Sequence, residues 1–145
     1  MAELFRPIPL HYQPKIDNLF IVEFPEYFNM PPYFIQGVTK PKLEKGKWSN
    51  ITVETLDPIY PSMTSSVVDL IHFCELNKPS FFSKKRNLFS FSIKALDPTG
   101  LEVEEWIIDV KQLVSVDFGD FSYADKEFQK IKLIFKPSDC RLNQK

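Results

Sequence analysis

Residues 89–135 carry the clearest alternation of apolar and polar side chains in the chain. Phe89, Phe91 and Ile93 alternate with Ser90, Ser92 and Lys94. That period of two is what a half-buried strand requires. Asp97-Pro98-Thr99-Gly100 then reads as a turn. Pro98 suits the second position of a type I turn, and Gly100 can take the positive φ that restarts a strand in hairpin register. The pattern predicts a returning strand over residues 101–110, another over 113–118 and a last one over 128–135. In the last, Ile131, Leu133 and Phe135 share one face, and Lys130, Lys132 and Lys136 share the other, with Ile134 as the exception. The whole stretch is expected to form an antiparallel meander.

The segments before it fit the same plan. Residues 1–14 hold Pro7, Pro9 and Pro14, which fix φ and remove donors, so an extended arm is expected. Residues 19–24 (LFIVEF) form a short apolar run typical of a buried strand. Pro25 and Pro31-Pro32 bracket a loop, and residues 33–38 predict a partner strand. Residues 40–47 are lysine-rich and read as an exposed connection. Residues 48–56 alternate again, with Ile51, Val53 and Thr55 on one face. One helix is predicted over residues 62–76, capped by Ser62. Met63, Val67, Leu70, Ile71 and Cys74 form its apolar stripe, and Asn77 and Pro79 stop it. Lys84, Lys85 and Arg86 then mark an exposed basic tip.

Strands, one helix and strands again exclude a doubly wound parallel sheet. The expected fold class is mainly β (β+α): an antiparallel β-sandwich or small barrel with one flanking helix. Residues 15–137 would form the domain, and residues 138–145 a polar tail. Composition agrees. A chain of 145 residues suits one domain with a real core, and 14% aromatic residues, mostly Phe, provide its apolar mass.

Charge and residue supply narrow the chemistry. A net charge of −1 argues against general nucleic-acid binding. His11 and His72 are the only histidines, and His72 lies two helix positions from Cys74, so the two point apart. The four glycines form no phosphate-binding loop. Cys74 and Cys140 read as reduced thiols. No catalytic, metal or cofactor site is expected. No signal peptide or membrane span is expected either. Glu102 and Glu104 are expected on one strand face, as a wet acidic pair. From residue 97 to 127 nine acids stand against Lys111 and Lys126, while bases gather around residues 40–47 and 84–86. This segregation suggests a one-signed lining, with oppositely charged edges that meet between copies.

Taken together, these segments resemble the tail tube proteins of contractile-tailed bacteriophages. The resemblance runs through Asn18-Leu19-Phe20-Ile21-Val22-Glu23, Phe34-Ile35-Gln36-Gly37-Val38 and Trp48-Ser49-Asn50-Ile51-Thr52-Val53. It is closest over residues 93–135, including Leu113-Val114-Ser115-Val116-Asp117-Phe118. The type VI secretion tube protein shares that family's fold. The resemblance implies a barrel-like structural subunit that assembles as hexameric rings stacked into a hollow tube, in a virion tail built in the host cytoplasm. Sheath and baseplate proteins would be partners, and DNA would pass through the lumen without specific binding. Glu102, Glu104 and Asp117 are the candidate lumen-facing acids. Arg6, Lys84, Lys85 and Arg86 are the candidate inter-subunit contacts. This chain is short between helix and meander, where members of the family can carry a long insertion. A tube-initiating or baseplate protein therefore stays open as an alternative. From another class, the many phenylalanines allow a monomeric β-barrel that binds a small apolar ligand.

Overall fold

The structure is a computed structural model that describes residues 18–59, 62–77, 87–123 and 128–144. The arm at residues 1–14 lies outside the described residues. Eight strands and one helix follow in the order β1 (Phe20–Glu23), β2 (Ile35–Val38), β3 (Leu43–Glu44), β4 (Lys47–Trp48), β5 (Ile51–Leu56), α1 (Met63–Leu76), β6 (Phe89–Leu96), β7 (Glu102–Asp117) and β8 (Lys130–Gln144). Six of the strands form one antiparallel sheet in the order β1-β6-β7-β8-β5-β2. The sheet curls so that its edge strands approach each other, giving the expected barrel-like mainly β fold with one helix.

Alternation decides which side of the curl each residue takes. Phe89, Phe91 and Ile93 on β6, Ile108 and Val110 on β7, and Ile131, Leu133 and Phe135 on β8 are all buried. Ile51 and Val53 of β5 join them. Phe24, Phe28, Phe89, Phe91 and Phe135 meet ring to ring, with centroids 4.9 to 6.4 Å apart. Thr55 is buried on the same face, and its hydroxyl donates to the Phe34 and Leu56 carbonyls. Helix α1 covers this core with Met63, Val67, Leu70 and Cys74. Phe73 meets Phe28 edge to face. Such burial is the main favourable term in the fold.

The helix starts differently from the expectation. Ser62 makes no capping bond. Asp57 does the work instead, its Oδ1 accepting from the Met63 and Thr64 amides at 3.0 and 3.2 Å and its Oδ2 from the Thr64 hydroxyl at 2.6 Å. A carboxylate satisfies orphan N–H groups and also favours the positive end of the helix dipole. Its distance in sequence from the first turn hid it.

Three further expectations change. The strands foreseen at 101–110 and 113–118 are one strand, β7, which shifts register around Val110 and Leu113 without ending. Bulges let a long strand bend. The tail foreseen at residues 138–145 is, as far as Gln144, the second half of β8, paired to β7 as Cys140↔Ile108 and Leu142↔Trp106. Its polar side chains misled because one flank of a sheet meets water, and Cys140 is the only large inward contribution there. Finally, Trp48 belongs to a small β3–β4 hairpin inside the lysine-rich connection. Lys45 and Gly46 turn it with φ of 51° and 76°. Positive φ at both central residues is the type I′ signature.

Two tests follow from this geometry. Gly100 has φ +90°, donates its amide to the Asp97 carbonyl, and stands free of steric neighbours. Asp97 Oδ1 also accepts from the Thr99 hydroxyl and from the Thr99 and Leu101 amides, and these bonds hold its pKa below the ordinary value. Gly100→Val therefore lowers stability by about 1–2 kcal/mol through backbone strain alone, read by denaturant melting. On β8, Ile131→Asp places an unpaired charge in the core and abolishes folding, whereas Lys132→Asp on the wet face still folds. Circular dichroism of the two variants separates the faces, and equal tolerance would refute the assignment.

Candidate functional site

The charged residues singled out by the sequence lie mainly on the outer face of β6, β7 and β8. Lys94 of β6 is the centre of one group. Its Nζ lies 3.1 Å from Glu102, 3.2 Å from Glu23 and 3.7 Å from Glu105. Burial pulls the ammonium down, but the bonds and charges of Glu102 and Glu23 outweigh it and raise its pKa above the usual lysine value. Glu105 also accepts from the Asn143 side chain at 3.1 Å.

Glu102 and Glu104 do not share a face. The ladder slips between Ala95↔Glu104 and Leu96↔Glu102, so one extra β7 residue separates them. Glu102 turns outward to Lys94. Glu104 is only 6% exposed, lies 2.9 Å from Lys40 Nζ and accepts from the Trp106 indole. A carboxylate closed inside its own subunit cannot line a water-filled bore, so Glu104 leaves the set of lumen candidates. Asp117 is exposed at the far end of β7, its Oδ1 accepting the Gly119 amide at 2.8 Å. Arg6, Lys84, Lys85 and Arg86 lie outside the described residues.

The acid excess of residues 97–127 is a property of the sequence more than of the surface. Antiparallel pairing brings the bases of β8 beside the acids of β7. Asp117 stands opposite Lys132. Asp109 accepts from Arg141 at 3.2 Å and from the Ser90 hydroxyl. Lys130 lies 3.6 Å from Glu54 of β5. Most of these acids thus meet bases across the ladder, although Asp109 also stands opposite Asp139.

The acid–base repertoire is small. His72 is exposed and Cys74 is buried, so they face apart as their spacing requires. Burial pushes the Cys74 thiol up to about 11, and burial with the nearby Asp139 and Asp109 carboxylates does the same for Cys140. Thiols held that high are poor nucleophiles at neutral pH. Among the described residues no cluster of potential metal ligands occurs, and no helix is long and apolar enough to cross a membrane. The phenylalanine core packs ring on ring. Clefts of about 360 and 370 Å³ lie outside it, one against α1 and Leu113, the other against Phe20, Lys40, Glu104 and Trp106.

One surface escaped the sequence reading. The β7–β8 connection presents Phe118, Phe121, Tyr123 and Phe128 to solvent, with Phe121 94% and Phe128 84% exposed. The signal was four aromatic residues within an otherwise mostly polar connection, residues 118–129.

This rolled antiparallel sheet with one helix is similar in fold to chains in solved structures of contractile injection systems. A chain in the cryo-EM structure of the anti-feeding prophage cap, the tube-terminating cap, superposes with a TM-score of 0.60 at 12% identity, covering 100% of each chain. A chain of the sheath–tube complex of PVC, an extracellular contractile injection system, in its extended state, gives 0.58 at 11% identity, over 92% of this chain and 94% of that one. A chain of the six-fold symmetrised anti-feeding prophage baseplate gives 0.55 at 16% identity, over 91% and 97%. No protein-family model and no curated protein matches the sequence. At these identities the likeness establishes the fold.

The Lys94 group yields a prediction. Its side chain is 13% exposed, and replacing it leaves three carboxylates close together. Lys94→Met should lower stability at pH 7 by about 1–3 kcal/mol, between the values for exposed and buried pairs. The pairing contributes in full while the ammonium is charged, below the ordinary lysine value. The deficit should therefore hold at pH 7 and shrink as pH rises through the raised Lys94 pKa. Melting curves at pH 7 and at strongly alkaline pH check both the sign and the trend.

Proposed function

We propose that this chain is a structural tail protein, the repeating subunit of a tube in a contractile-tail-type particle. It assembles as hexameric rings that stack into a channel. The observation that carries this reading is the likeness to contractile injection system structures along essentially the whole chain. A packed interior and the lack of a catalytic constellation among the described residues support a role in architecture, not turnover. They also weigh against the small-ligand barrel, whose cavity the phenylalanine rings would have to leave open.

In this reading the outer sheet face borders the bore, where Glu102 and Asp117 stand among the bases of β8. DNA passes without specific binding, because acids interleaved with bases offer no continuous basic track. Residues 1–14 and the basic residues Arg6, Lys84, Lys85 and Arg86 reach neighbouring copies, and sheath and baseplate proteins bind outside. The particle is a virion tail assembled in the host cytoplasm.

A second reading has its own support. Two of the similar structures are a tube-terminating cap and a baseplate, so a tube-end or tube-initiating protein fits the same fold. Negative-stain microscopy of the purified protein decides among these. A tube subunit gives long hollow filaments of stacked rings, a tube-end protein gives single rings, and a monomer overturns both. In assembled tubes, Glu102→Lys with Asp117→Lys should keep the subunit folded and add DNA binding that falls with salt. Unchanged DNA binding would remove these two acids from the bore.

A further inference from the structure

We propose that the cleft at the seam of the rolled sheet binds a small primary alkylammonium, which takes the place of the Lys40 ammonium on the Glu104 carboxylate. This goes beyond the tube reading and does not rest on it, since every group involved belongs to one subunit.

The cleft, of about 370 Å³, opens where β1 and β2 approach each other without pairing. That volume lies within the range of small-molecule sites. Phe20, Val38, Ile93 and Trp106 give it apolar walls, and Glu104 supplies a carboxylate. Gly37 also lines it. The other three glycines have positive φ, which accounts for them. Gly37 does not, and a Cβ there would meet no atom within 4 Å. The register shift between Ile35 and Gly37 does not call for glycine either, because only a bulge residue in the left-handed region favours it. What the missing side chain does is leave the cleft open. A strand glycine of this kind suits the close approach of a ligand.

The ion pair at the cleft has one fixed partner and one movable partner. The Glu104 side chain is 8% exposed and accepts from the Trp106 indole. Lys40 stands on the connection after β2, its side chain 56% exposed and its Nζ 2.9 Å from the carboxylate. A long solvated stem can swing away, whereas a buried carboxylate must keep a cation beside it. A ligand ammonium meets that demand as Lys40 leaves, and its aliphatic chain lies against the apolar walls. Lys94, the other cation that lines the cleft, is committed to Glu102, Glu23 and Glu105. An anion would therefore meet the Glu104 carboxylate with no cation to spare, and an uncharged chain would have nothing to offer that carboxylate in place of Lys40.

Trp48 and Trp106 are the only tryptophans of the chain, they meet edge to face, and Trp106 lines the cleft. Indole emission therefore reports its occupancy. The probe is n-pentylamine at pH 7, with pentanoate and pentanol as controls of equal chain length. The wild type should show a saturable change with the amine alone. Lys40→Ala removes the competing ammonium. It should melt lower than the wild type, bind the amine more tightly by about tenfold or more, and regain thermal stability as the amine is added. Gly37→Leu fills the cleft. It should keep the wild-type circular dichroism and bind the amine more weakly by about tenfold or more. A wild type that does not respond, a control that acts as well as the amine, or a Lys40→Ala protein that binds no more tightly overturns the proposal. So does undiminished binding to Gly37→Leu, or to the smaller Gly37→Val should the first not fold, because the amine would then sit elsewhere.

Discussion

The pairing of β7 with β8 is the interaction on which the rest of this subunit depends. The two strands run together from Glu104↔Gln144 to Asp117↔Lys132. Strand β6 covers β7 only as far as Val110, and β5 covers β8 only from Lys130 to Phe135. Beyond those limits, among the described strands, each half of the ribbon has the other as its sole ladder partner. The ribbon thus joins two smaller sheets, β1-β6 and β5-β2, that would otherwise have no common frame. A two-stranded ribbon is marginal by itself. It holds here because both ends rest on the phenylalanine core, through Ile108 and Val110 on β7 and Ile131, Leu133 and Phe135 on β8. The bulges near Val110 and Leu113 supply the bend that lets one ribbon serve both sheets.

The same pairing explains the electrostatics. A strand rich in acids would be poorly tolerated beside another like it. Here β7 is flanked by Lys94 on β6 and by Lys132 and Arg141 on β8, and its acids are distributed among them. Charge segregation along the chain becomes charge pairing across the sheet. Of the acids in this series, Glu104 falls on the inner face, and it lies beside Lys40 and the Trp106 indole. Among the described residues, no buried side-chain polar atom lacks a hydrogen-bond partner.

This explains which parts of the structure were legible in the sequence. Strands that alternate strictly, such as β5, β6 and the first half of β8, follow from period two, as does the inward set Ile131, Leu133 and Phe135. The stripe of α1 follows from its own period. The second half of β8 was missed although Cys140 and Leu142 alternate with Asp139, Arg141 and Asn143, because that alternation is only two apolar residues long and follows Pro137 and Ser138. The cap was missed because Asp57 acts across a loop, and a one-residue slip of the ladder sent Glu102 and Glu104 to opposite faces. That slip is a non-local consequence of register, which no local window contains. The exposed aromatics between β7 and β8 were missed for another reason: periodicity says nothing about a loop.

A rolled sheet of this kind has edges, and their management bears on what the molecule is for. Strands β1 and β2 approach each other and leave little edge at the seam. Beyond Val110 on β7 and Phe135 on β8, each strand has one flank without a ladder partner among the described strands. Soluble monomers blunt such edges with charge or bulges, because an open ladder templates association. This chain places bulges on β7 and keeps the outer face charged, so association along its flanks is limited to partners that match in shape and sign. Its most exposed large apolar side chains stand in connections and at the helix end, Phe121, Tyr123 and Phe128 between β7 and β8, Ile59 after β5 and Leu76 at the end of α1. In the proposed tube, guarded edges of this kind would let growth proceed along one axis and stop along the others.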